Sequence, residues 1–209
     1  SSLKVPKGIP AGGIKISVVG KHLSAIQKSK FYVYNPDRTA RYFSQCKVHS
    51  DFTMTCLSPH IPNINSSQLD AENPSLLHYG FEMDNVTSVQ NLSMKSGFSL
   101  VSLYPNPTFN TFSEKVKFHK YEYLVMNGEN IDRACQESDV VVQIGQSYCN
   151  VTSLTEHQVV CRLSDELLSG SANNCMATGI NNMDPLEVIV SIGENFRVSI
   201  GKLTYNSKC

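Results

Sequence analysis

The sequence predicts an all-β chain of two antiparallel β-sandwiches laid end to end. Three observations carry this. Apolar and polar residues alternate at period two in several short segments, the pattern of a strand with one buried face. These segments recur roughly every ten to fifteen residues, separated by Gly, Pro and Asn, while helical spacing shows only faintly, around Leu163 to Leu168. The same series of marks also runs through the chain twice.

In chain order, Ile14, Ile16 and Val18 alternate with Lys15 and Ser17 and predict a strand whose apolar side faces inward. That opening, IKISVVGKHL, matches YLVMNGENI (Tyr123 to Ile131), with Gly20 over Gly128 and Leu23 over Ile131. Farther on, Cys46-Lys-Val48 matches Cys149-Asn-Val151, Cys56 matches Cys161, and FSLVSLY (Phe98 to Tyr104) matches FRVSIGKLTY (Phe196 to Tyr205). Within the second half the alternating sets are Val140, Val142 and Ile144; Val188, Val190 and Ile192; and Phe196, Val198 and Ile200. Order is kept and only the intervening lengths change. A period of roughly one hundred residues is too long for a solenoid unit and suits one small β domain used twice.

The seam falls at Tyr104-Pro105-Asn106-Pro107, where two prolines remove backbone donors and interrupt a ladder. This gives domains 1–104 and 105–209, the first with its opening strand cut short. A linker this short and proline-containing leaves the pair little freedom to flex. Two polar stretches, His60 to Ser75 and Ser164 to Pro185, follow the second cysteine of each pair and are expected to be exposed, mobile loops.

Of the 209 residues, 41% are hydrophobic and 17% charged, a globular composition. Eighteen basic residues balance eighteen acidic ones, so no net field concentrates phosphates or anionic lipid, and nucleic acid is not an expected partner. No apolar run approaches the roughly eighteen residues that span a bilayer, so no membrane insertion is expected. The start, SSLKVPKG, has neither an initiator Met nor the apolar core of a signal peptide and reads as an internal piece of something longer.

The segment CKVHSDFTMTC, followed by His60, has the spacing of a metal knuckle as well as that of a disulfide. The repeat decides between them. CNVTSLTEHQVVC keeps both cysteines but has Thr152 where the first copy has His49, and no counterpart of His60. A metal site needs all its ligands, whereas a disulfide needs only the two cysteines that persist. The expected bridges are therefore Cys46 to Cys56 and Cys149 to Cys161, each closing a short loop for about 3 kcal/mol in an oxidising compartment. Cys135 and Cys175 have no counterparts in the first copy and are expected to pair with each other; Cys209 is the alternative partner for Cys175, or belongs to whatever follows it. Four N-glycan acceptor sequences agree with that compartment: Asn65-Ser-Ser, Asn85-Val-Thr, Asn91-Leu-Ser and Asn150-Val-Thr. If Cys149 points inward, period two sends Asn150 to solvent.

Enzyme motifs are only approached. GIKISVVGKH fails as a phosphate loop because Lys15 stands where a glycine is required and His22 where Ser or Thr would hold Mg²⁺. GQSYC around Ser147 lacks the second glycine of a nucleophile elbow. Glu82 with Asp84, and Asp165 with Glu166, are carboxylate pairs on which nothing else converges, and Lys115, Lys117 and Lys120 with Phe118 and Tyr121 fit the outer face of a strand. No catalytic residue, cofactor or metal site is expected, and the chain is not expected to be an enzyme.

Several segments carry a family resemblance. GFEMDNVTSV (Gly80 to Val89), then FSLVSLYPNPTF (Phe98 to Phe109), resembles the junction between consecutive IPT/TIG domains of the plexins, the cell-surface receptors for semaphorins. GIPAGGIKISVVGKHL resembles the opening of such a domain, with Gly8, Gly12, Gly13, Gly20 and Leu23 in place, and LVMNGENI resembles the second opening. Cys-x-Val through Thr55-Cys56 and Val160-Cys161 resembles the family's domain disulfide. The second domain departs from the pattern in lacking the double-glycine turn and in carrying Cys135 and Cys175, features of a divergent member. The resemblance implies immunoglobulin-like IPT/TIG sandwiches in the extracellular stalk of a plasma-membrane receptor. That stalk sets ectodomain shape, orientation and receptor self-association for signalling. Its partners would be neighbouring receptor domains, with semaphorin bound through other domains of the parent receptor. Receptors of the hepatocyte growth factor type share tandem IPT domains and are the alternative; an intracellular DNA-binding IPT domain is a third reading, and neutral charge speaks against it.

Overall fold

The computed structural model describes residues 5–86, 100–170 and 184–205, and strands in two sheets dominate them. The chain divides into two compact units, the first built mainly from residues up to Asn106 and the second mainly from Pro107 onward.

The first unit contains β1 (Lys7–Gly8), β2 (Lys15–Val19), β3 (Ser29–Tyr34), β4 (Arg41–Val48), β5 (Thr53–Leu57), β6 (Ser75–Met83) and β7 (Leu100–Leu103), hydrogen-bonded in the order β1-β7-β6-β3-β4-β5-β2. The run folds into two layers because β4 changes partners midway. Arg41 to Gln45 pair with β3, and Cys46 to Val48 pair with β5. Phe31 and Val33 of β3, Leu77 of β6, and Val101 and Leu103 of β7 meet Ile16 of β2 and Met54 and Cys56 of β5 in one core. Phe31 is fully buried at the centre, its ring 5.1 Å from that of Tyr79 and 5.5 Å from that of Phe81.

The second unit repeats the plan with β8 (Thr108–Phe109), β9 (Lys117–His119), β10 (Tyr123–Glu129), β11 (Val140–Ile144), β12 (Ser147–Leu154), β13 (Gln158–Arg162), α1 (Asp165–Gly170), β14 (Leu186–Ile192) and β15 (Phe196–Tyr205). Here β12 makes the same change of partner. Ser147 to Cys149 pair with β11, and Asn150 to Leu154 pair with β13, across an irregularity between Val151 and Ser153. Val142, Ile144, Val188, Val190 and Ile192, all from alternating segments, are buried together with Leu124 and Met126 of β10. In both units the first strand of the layer holding the last strand runs parallel to it: β1 beside β7, and β9 beside β15.

The repeated glycines have a packing reason. A Cβ on Gly20 would lie 2.9 Å from Leu23 Cδ2, and one on Gly128 would run into the Thr108 carbonyl and lie 3.2 Å from Ile131 Cδ1. Leu23 and Ile131, both buried, fold back over these glycines, so the matched spacing marks one local packing device used twice. Gly12 is required for its conformation as well: its φ is +74°, and a side chain there would come within 2.6 Å of the Pro59 and His60 backbone. Gly12→Ala should therefore cost the first unit about 2 kcal/mol or more, measured by denaturant unfolding.

The stretch from His60 to Ser75 departs from the exposed loop expected of it. Ile61 is 2% exposed and its N–H donates to the Pro10 carbonyl, while Ile64 and Leu69 pack against the first core. A short 3₁₀ turn at Ser66–Gln68 is capped by Asn65, whose carboxamide oxygen accepts from the Ser67 N–H. Three isolated apolar residues in a polar segment anchor it to the sandwich. Of the second long stretch, α1 and residues 184–185 are described, and 171–183 lie outside the described residues.

Candidate functional site

The features that point to function are covalent and superficial. In the first unit Cys46 and Cys56 stand directly opposite each other on β4 and β5 and are joined, their Cα atoms 4.0 Å apart. In the second, Val151 is the residue opposite Cys161, so Cys149 reaches its partner diagonally, with Cα atoms 5.5 Å apart. Cys46 and Cys149 occupy the same step of the fold, where β4 and β12 pass from one layer to the other. With both sulfurs of the first pair bonded to each other, the knuckle histidines are engaged elsewhere. His49 Nε2 lies 2.9 Å from Thr55 Oγ1, and His60 Nδ1 donates to the Pro10 carbonyl at 3.0 Å. Cys135 is half-buried, and its expected partner Cys175 lies outside the described residues.

Three of the four glycan acceptors are described, and Asn91 is not. Asn65 is exposed at its 3₁₀ turn. Asn85 is exposed in a turn with φ +66° that closes between Met83 and Val86. Asn150 is exposed on β12, immediately after the buried Cys149.

The carboxylate pairs do not converge. Glu82 takes a 2.9 Å ion pair from Lys30, whereas Asp84 accepts hydrogen bonds from the Gln27 and Lys28 backbone N–H groups and holds the turn before β3. Asp165 pairs with Arg162, which also meets Glu122; the Glu166 side chain lies outside what is described. Lys15 and Gly20 lie on or just after β2, with no phosphate-binding helix following, and Ser147 opens β12. Lys117 covers the Phe112 ring at 4.7 Å and Lys120 the Tyr121 ring at 5.4 Å, so the basic stripe packs on aromatic surface.

Sequence reasoning passed over His119. It is 6% exposed on β9, and burial, followed by the nearby Lys117 charge, holds its pKa below the ordinary histidine value. The unfolded chain takes up this proton near pH 6.5 and the folded chain only at lower pH. Below about pH 6.5 the unfolded state therefore binds more protons, and the second unit's stability, full above that pH, declines as pH falls. Thermal unfolding between about pH 7.5 and pH 5 should show the decline, and His119→Gln should flatten it.

No family model matches the sequence. Individual relatives do. Plexin-2 of Caenorhabditis elegans is 29% identical over 211 residues, covering 99% of this chain, and Plexin-2 of Caenorhabditis briggsae is 28% identical over 201 residues, covering 94%. Human Plexin-A2 is 28% identical over 160 residues, covering 73%. The chain spans only 11% of the length of each nematode relative and 8% of the human one. Among solved structures, the full extracellular region of Plexin A4 superposes with a TM-score of 0.53 at 19% identity, over 95% of this chain and 14% of that one, and so shares the fold. The chain is thus similar to plexins through nearly its whole length, and its two disulfide-bonded sandwiches share the fold of a plexin extracellular region.

Proposed function

We propose that this segment is a non-catalytic stalk module of a semaphorin receptor, setting the shape and orientation of the ectodomain and its association with neighbouring receptor domains. The observation that carries the reading is a disulfide at the same step of the fold in each of two successive sandwiches. Each unit is cross-linked where its layers exchange a strand, which suits a part that holds geometry under load better than one that opens around a substrate. Domain limits of 1–104 and 105–209, glycans on Asn65, Asn85, Asn91 and Asn150, and a Cys135 to Cys175 bridge belong to the same proposal; mass mapping of peptides from secreted protein tests the last two.

The function is tested in the full-length receptor on cells by inserting a flexible Gly/Ser stretch between Asn106 and Pro107. Semaphorin binding at the cell surface should be retained while basal and ligand-driven signalling change. Unaltered signalling with the insertion in place would remove the orienting role, and lost binding would move the segment into the ligand site.

A further inference from the structure

Strand periodicity sets Tyr148 and Asn150 on one side of β12, and Thr152 follows at the irregularity between Val151 and Ser153. Tyr148 is 64% exposed and Asn150 and Thr152 are exposed, while Cys149 between the first two is buried. Same-side neighbours on a strand lie about 7 Å apart, close enough for a sugar on Asn150 to reach the Tyr148 ring. Among the described residues the Asn150 carboxamide makes no hydrogen bond, although its backbone is fixed opposite Arg162. By contrast, the Asn65 oxygen accepts from both the N–H and the hydroxyl of Ser67. Beside Asn150 lies a shallow, open depression, with Tyr148 and Val141 supplying apolar surface and Glu137 and Ser138 polar groups. Val141 is 43% exposed. None of the other acceptors has an aromatic residue two positions earlier: Asn63, Met83 and Val89 stand there. In the first unit the corresponding residues are Gln45 and Lys47, so the arrangement belongs to the second unit alone.

We propose that Asn150 carries an N-linked glycan whose first N-acetylglucosamine packs on Tyr148 and Val141, stabilising the second unit. The C–H face of a pyranose is electropositive at its edge atoms and meets the negative face of an aromatic ring, while Glu137 and Ser138 offer partners to its hydroxyl and acetamido groups. In the transfer, the Asn150 carboxamide nitrogen attacks C1 of the terminal sugar of a lipid-pyrophosphate oligosaccharide. The C1–O bond to pyrophosphate breaks, an N–C1 bond forms, one amide proton is released, and the lipid pyrophosphate leaves with no change in oxidation state. The proposal rests on the extracellular receptor reading, because that donor is met on the secretory route.

The test uses the 209-residue chain secreted from mammalian cells, with occupancy and disulfides mapped by mass spectrometry and the unfolding of the second unit followed thermally. Asn150 should be occupied. Thr152→Val, which removes the acceptor but keeps Asn150 and Tyr148, should lower the unfolding temperature by about 4 °C, with Asn150→Gln as a second variant. In a Tyr148→Ala background the same removal should have a much smaller effect, and trimming the glycan to one N-acetylglucosamine should preserve the stabilisation. An equal shift in both backgrounds overturns the proposal. So does a bare Asn150 in protein with both disulfides formed and another acceptor occupied. Unbridged Cys46, Cys56, Cys149 and Cys161 with no acceptor occupied would overturn the receptor reading, and this proposal with it.

Discussion

Replacing Cys149 and Cys161 together by alanine is expected to destabilise the second unit by about 2–5 kcal/mol. The bridge closes a sequence separation of 12, for which the chain-entropy model gives about 3 kcal/mol. Packing adds to this. Cys161 is fully buried and Cys149 is 4% exposed, so two alanines leave unfilled volume in the core. The position matters as much as the loop. Cys149 is the last residue of β12 paired with β11, and Asn150 is the first paired with β13, so the sulfur bridge fastens the strand where it crosses between layers. The equivalent pair, Cys46 and Cys56, at a separation of 10, should cost the first unit a similar amount. Because the two units need not unfold together, each loss should appear in its own denaturant transition with the other unchanged. A loss under about 1 kcal/mol for either pair would mean that the crossing is held by hydrogen bonds and packing alone.

Phe31→Ala is the second large effect, expected at about 3–5 kcal/mol in the first unit. Phe31 is completely buried, and two rings, Tyr79 and Phe81, pack against it from β6. Neither ring can move in to fill the space, because the pairings Phe31 to Phe81 and Val33 to Tyr79 fix both backbones. Phe31→Leu should recover most of the loss, since it restores much of the volume. Urea unfolding of the three proteins gives the comparison. If the alanine variant matched the leucine variant, the core would have closed over the gap.

The alternating strands and the twinned cysteines were legible because period two and the repeated Cys-x-Val depend on near neighbours alone. Several features depended on residues far apart in sequence. Alternation sends Tyr32 away from the core that holds Phe31 and Val33, yet Tyr32 has no exposed surface. Gly80 stands opposite it on β6 and leaves the ring room to lie flat, and Arg41 and Phe43 cover it. Likewise β15 keeps the phase of Ile200 only as far as Gly201, where φ is +130° and the Phe112 ring approaches; Leu203 is the next buried residue, one position out of step. Ile61, Ile64 and Leu69 were unreadable as anchors because each is alone among polar neighbours, and His119 because burial of a single histidine leaves no periodic trace. Of the candidate site, the cysteines and acceptors were readable as short motifs, whereas the grouping of Tyr148, Asn150 and Val141 beside one depression needed the pairing of strands.

The parallel pairing of β1 with β7 and of β9 with β15 bears on what happens when the chain is pulled. Two strands that run the same way send the chain into a unit at one pole and out at the other. Tension on the chain then slides them along each other and strains their hydrogen bonds simultaneously, among them Ser102 N–H to the Pro6 carbonyl and Tyr104 N–H to the Gly8 carbonyl, instead of peeling them one by one. Each unit is thus wired as a shear clamp, resisting extension most strongly along the direction in which its ends emerge.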